Sequence, residues 1–172
     1  MGLSGESMEL SRRRTLALGL AAGAAFAVGV TVHLPPPASG ARVLSAAELD
    51  TLAAVAVTLF PGVHFPIDGL AAGVPQRVDE LLDQLLDPTR QAGFRYMLRA
   101  LEWGTLASRG VRFSQLDGDS RVAVLEAWGD PDVVPRRLAA DSLRAILAMA
   151  YFAHPDVQAA IGWRSMCSVR AA

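Results

Sequence analysis

Leu44-Ser45-Ala46-Ala47-Glu48-Leu49-Asp50-Thr51-Leu52-Ala53-Ala54-Val55-Ala56-Val57-Thr58-Leu59-Phe60-Pro61-Gly62 spells one helix from its start to its stop. Ser45 and Glu48 form a capping box, in which the Ser oxygen and the Glu carboxylate each satisfy a backbone N–H that the first turn leaves without a partner. Leu49, Leu52, Ala53, Ala56, Leu59 and Phe60 then recur at helical period and predict one buried face. Pro61-Gly62 ends the helix.

The same grammar continues downstream. A Gly/Pro loop covers 61–73. A second helix is predicted from about Val74 to Leu86, with Pro75 in its first turn and Val78, Leu81, Leu82 and Leu85 as its core stripe. Asp87 N-caps a third helix that opens at Pro88, is lined by Phe94, Met97, Leu98 and Leu101, and ends at Arg109-Gly110. Phe113 and Leu116 lie in a connector. A fourth helix, about Asp117 to Trp128, is expected to bury Val122, Val124, Leu125 and Trp128. A fifth, about Pro135 to Phe152, is expected to bury Leu138, Leu143, Ile146, Leu147 and Ala150. His154-Pro155 closes it, and a short turn leads to Ile161-Gly162-Trp163. No alternating, β-branched run is long enough for a strand. The fold class is therefore all-α: about five short helices behind an N-terminal hydrophobic segment.

That segment reads as an export signal. Ser11-Arg12-Arg13-Arg14-Thr15-Leu16 is followed by an uncharged apolar run over 16–34, then Pro35-Pro36-Pro37 and Ala38-Ser39-Gly40-Ala41. Basic region, apolar region, breaker and small residues is the order of a signal peptide. Ser11, Arg12, Arg13 and Leu16 resemble a twin-arginine (Tat) motif, although Thr15 replaces the usual Phe. The expected cleavage point is after Ala41, which divides the chain into a signal at 1–41 and a helical domain at 42–172. The alternative is a retained anchor, because nineteen residues of helix span about 28 Å, close to the bilayer core. Either way, the domain is expected in the periplasm or on the outer face of the cytoplasmic membrane, with membrane contact through 16–34.

Chemistry is sparse. The net charge of -1 over 172 residues provides no electrostatic footprint for nucleic acid. His33, His64 and His154 have no Cys or His at ligand spacing, and no phosphate loop, haem or iron–sulfur motif occurs. No catalytic, cofactor or metal residue is expected in this chain. Asp79, Glu80, Asp83 and Asp87 read as a solvated helix face. Arg136-Arg137 oppose the dipole of the fifth helix and call for an acidic neighbour. His154 reads as a helix-end residue capping carbonyls. Among the aromatics, Trp163 lies beyond the last long helix and needs a surface to pack on. The single cysteine, Cys167, is four residues further and suits a free thiol or an intermolecular disulfide in an oxidising compartment.

Several segments, in order, resemble the gluconate 2-dehydrogenase subunit 3 family. They are the opening helix from Leu44 to Phe60-Pro61-Gly62, Ala71-Ala72-Gly73-Val74-Pro75, Val78-Asp79, Phe113 to Leu116 with Arg121 and Val124-Leu125, and Tyr151-Phe152-Ala153-His154-Pro155-Asp156-Val157 with Ile161-Gly162-Trp163. The resemblance implies a non-catalytic small subunit of an envelope dehydrogenase. Its large subunit would be a GMC-type flavoprotein holding FAD and oxidising a sugar or alcohol hydroxyl. Electrons would leave through a cytochrome c subunit or an iron–sulfur centre. The small subunit would bind the folded flavoprotein and lend it access to the Tat translocase. Tyr151, Phe152, His154, Trp163 and Cys167 are the expected partner-facing residues. The competing readings are an independent periplasmic enzyme, which lacks a catalytic constellation, and a membrane-anchored helical scaffold without a redox partner.

Overall fold

The first predicted helix, α1 (Ala46–Leu59), is the hub of the molecule. The computed structural model describes residues 34–163. Around α1 stand α2 (Val74–Leu85), α3 (Pro88–Gly104), a 3-10 turn (Phe113–Gln115) and α5 (Gly118–Trp128), all in contact with it. The long α6 (Val134–Phe152) packs on α2 and α5, and the short α7 (Pro155–Ala160) folds back on α6. A single turn, α4 (Leu106–Arg109), follows α3. No strand occurs among the described residues. There, too, no helix is long and apolar enough to cross a membrane.

All five predicted helices are present within two residues of their expected starts, because each start carries a local signal: an acidic or Ser cap, or a proline in the first turn. Glu48 accepts the Ser45 N–H at 2.9 Å. Asp87 accepts from Thr89 and Arg90, and Asp117 from Ser120. The third helix is shorter than expected: the chain breaks at Thr105, whose hydroxyl donates to Val111 O at 2.7 Å. Gly110 therefore closes α4, not α3.

Burial departs from the expected stripes in a consistent way. Leu52, Val55 and Ala56 are fully buried and Ala54 nearly so, while Leu49 and Leu59 are only partly covered, because neighbours surround α1 instead of meeting one face. Leu85, Val122 and Leu138, expected in the core, are exposed at 56%, 42% and 62%. Each lies at the edge of an amphipathic stripe or on the far side of its helix.

Two loops are held by specific contacts. Gly69 sits against α1 so closely that a Cβ would lie 2.5 Å from Ala56 O. Its N–H donates to Phe60 O at 3.0 Å. Residues 35–41, on the signal side of the expected cleavage point, pack on the helical body as well. Arg95 donates to Pro35 O, and the Ala38 N–H donates to Leu44 O at 2.9 Å.

Candidate functional site

Titratable side chains that reach the interior bind the chain to itself. Glu48 and Arg95, 47 positions apart, form a buried ion pair at 2.9 Å. Asp79 is 3% exposed and accepts three successive backbone N–H groups, from Arg42 at 2.7 Å, Val43 at 3.0 Å and Leu44 at 2.7 Å. The solvated-face reading of the acidic cluster is thus corrected for Asp79. It holds for its neighbours, where Glu80 pairs with Arg77, and Asp83 with Arg42, at the surface. Glu102 accepts from the Ser114 N–H and hydroxyl and fixes the 3-10 turn that buries Phe113. Among the described residues no group of three or more His, Cys, Asp or Glu lies where it could hold a metal ion.

The exposed surface also carries a contiguous apolar line. Helix α6 has two apolar faces. Ala140, Leu143, Leu147, Ala150 and Tyr151 face the core. On the opposite side Val134, Leu138, Met149 and Phe152 are exposed at 59%, 62%, 55% and 43%. With exposed Ala145 they recur at spacings of three, four and seven, so they lie on one line along the helix. A helix of 19 residues makes that line about 28 Å long. Asp141 interrupts it, held by Arg137 at 3.8 Å and Arg144 at 3.5 Å. Arg137 thereby finds the acidic neighbour its position demands. Beside the line, an open cleft of about 380 Å³ is lined by Leu86, Phe94, Met97 and Ile146, with Arg90 and Ser142 at its rim.

The expected partner-facing residues separate into two groups. Tyr151 is fully buried, so it presents nothing to a partner. Its ring stacks on Phe60 at 4.2 Å, Phe65 meets it edge-on, and its hydroxyl donates to Ile67 O at 2.7 Å. Burial raises its pKa above the ordinary 10.0, which keeps the phenol a donor. Phe152, its neighbour, meets Phe60 and Tyr151 edge-on and leaves the rest of its ring outside. His154 is half-buried and caps amides, not carbonyls: Nδ1 accepts the Asp156 N–H at 3.3 Å and opens α7. Trp163 is 57% exposed, with its backbone N–H donating to Gln158 O at 2.9 Å. The Gln158 side chain in turn donates to Phe152 O at 3.0 Å, which ties α7 to the end of the exposed line. Ser11, Arg12, Arg13, Leu16 and Cys167 lie outside the described residues.

Sequence reading missed the Glu48–Arg95 pair, the role of Asp79 and the outer face of α6. One signal was available for Arg95: it stands inside the Phe94, Leu98, Leu101 stripe, where a charge needs a partner.

A family model described as gluconate 2-dehydrogenase subunit 3 matches residues 46–166. No curated protein and no solved structure gives a significant match.

Proposed function

The chain belongs to the gluconate 2-dehydrogenase subunit 3 family, and from that membership we propose that it is the non-catalytic small subunit of a heteromeric, FAD-dependent sugar or alcohol dehydrogenase. It binds a folded GMC-type flavoprotein, carries it through the Tat translocase and stays with it in the envelope. FAD belongs to the large subunit, which oxidises the hydroxyl-bearing carbon. Electrons pass on to a cytochrome c subunit or an iron–sulfur centre.

The observation that carries this reading is the outer face of α6. A helix apolar on two opposite sides is a helix made to be covered on both. One side is covered by α2 and α5. The other offers Val134, Leu138, Met149 and Phe152 to a partner, and contiguous exposed apolar surface of this kind marks interaction sites. Trp163 extends the surface from α7. Cys167, four residues on, is within about 14 Å of it if extended, where a partner thiol can bridge to it after export.

Co-expression with a GMC flavoprotein from the same operon tests the assignment. A yellow complex containing both chains is expected, and the purified small subunit alone should bind no flavin and oxidise no sugar or alcohol. Changing Arg12, Arg13 and Arg14 together to Lys should leave both proteins in the cytoplasm. Normal export of that triple variant, or stoichiometric flavin in the isolated chain, overturns the reading.

A further inference from the structure

The small residues Ser39 and Ala41 invite cleavage between Ala41 and Arg42, but the fold turns the chain before that bond and anchors the amide after it. We propose that residues 35–41 stay on the folded subunit, so that the exported chain begins at or before Pro35 and never at Arg42. The proposal goes beyond the small-subunit reading and rests on it only for export.

Three observations support it. First, the chain reverses at the candidate site. The Ala41 N–H donates to Ala38 O at 3.0 Å, Gly40 takes a φ of +83°, and Ala38 N–H returns to Leu44 O at 2.9 Å. Proteolysis needs a segment that can extend into the protease, and exposed flexible tips supply one. Ser39 and Gly40 are exposed here, so the protection is conformational: both N–H groups flanking the turn are committed.

Second, the nitrogen of the scissile bond is itself anchored. Arg42 N lies 2.7 Å from Asp79 Oδ2, and the next two amides bond Oδ1 of the same buried carboxylate. Val43 and Leu44 fill the core immediately after it. Hydrogen bonds from backbone N–H groups to a carboxylate are of the stronger, charge-assisted kind. Opening the site means breaking all three.

Third, residues before the bond contribute to the body. Arg95, which is nearly buried, uses Pro35 O as an acceptor beside its pair with Glu48. Pro35 belongs to the same compact unit as the helical body. A cut after Ala41 would remove that acceptor. Because Tat carries folded cargo, this collar is already closed when processing enzymes meet it.

The mass of the chain recovered from the envelope fraction is the direct test. An N-terminus at or before Pro35 supports the proposal, and one at Arg42 overturns it. A second measurement uses the full-length protein and does not depend on export. Trypsin has one target in the collar, the Arg42–Val43 bond. In the wild-type chain it should be cut at least about tenfold more slowly than in Asp79→Ala, where local opening is easier. Gly40→Ala, whose added Cβ meets no heavy atom within 4 Å but which disfavours the positive φ, should show the same loosening if Asp79→Ala does not fold. Equal tryptic rates in wild type and Gly40→Ala overturn the proposal. If the chain is never exported, the small-subunit reading falls while the tryptic comparison still decides this one.

Discussion

The two ends of the helical body use their side chains in opposite ways. Around α1, α2 and α3, charged groups are drawn inside: Glu48, Asp79, Arg95 and Glu102 are all buried, and each fixes a piece of chain outside its own helix. Along α6 the reverse holds, and large apolar side chains remain in water. Buried polar groups are costly unless satisfied, so they lock one arrangement. Exposed apolar groups stabilise nothing until something covers them. The first region serves the integrity of the fold; the second is the surface we propose a partner covers.

The largest expected effect breaks the first region. Arg95→Ala leaves Glu48 buried with only the Ser45 amide and should cost about 3–5 kcal/mol in denaturant unfolding. The pair Glu48→Gln with Arg95→Met should recover most of that loss. If Arg95→Ala shifts stability by less than about 1 kcal/mol, the contrast between the two regions fails.

Next comes the second region. Leu138→Asp with Met149→Asp should change stability by only about 0.5 kcal/mol each, since both side chains are already exposed. The same pair should weaken assembly with the flavoprotein by about 2 kcal/mol or more, roughly thirtyfold in Kd. Isothermal titration beside thermal unfolding separates the two. Unchanged affinity would place the interface elsewhere.

Trp163→Ala sharpens the boundary between the regions. It should weaken assembly by about 1–2 kcal/mol while leaving the unfolding midpoint nearly unchanged. Cys167→Ser tests the covalent extension: wild-type complex should run as one band on a non-reducing gel and the variant as two.

The smallest effect belongs to Tyr151. Burial holds its phenol above the ordinary value, so the folded state keeps a proton that the unfolded chain releases near pH 10. That stabilisation is complete below pH 10 and is lost as pH rises from there through the raised value. Tyr151→Phe should cost about 1 kcal/mol at neutral pH for the bond to Ile67 O. It should also flatten the alkaline decline of stability, measured by unfolding between pH 9 and 11.

Local signals were readable in the sequence and non-local ones were not. Ser45, Asp87 and Asp117 announce their helices because a cap acts within three or four residues. Asp79 looks like any surface acid until a segment 35 to 37 positions earlier delivers its amides. Leu138 looks like core because helical period finds an apolar residue without telling which of two faces is inward. The aromatic pair makes the same point at one-residue spacing: Tyr151 and Phe152 read alike in sequence, yet a turn of about 100° puts one in the core and the other outside.

The two-faced α6 also bears on how the cell keeps count. On the small-subunit reading, a chain made in excess carries about 28 Å of uncovered apolar helix, the kind of surface that chaperones hold and proteases clear. Copies that find a large subunit hide it; copies that do not are marked by it. On that reading, quality control at the cytoplasmic side would help set the ratio of the two chains, and only assembled pairs would reach the translocase.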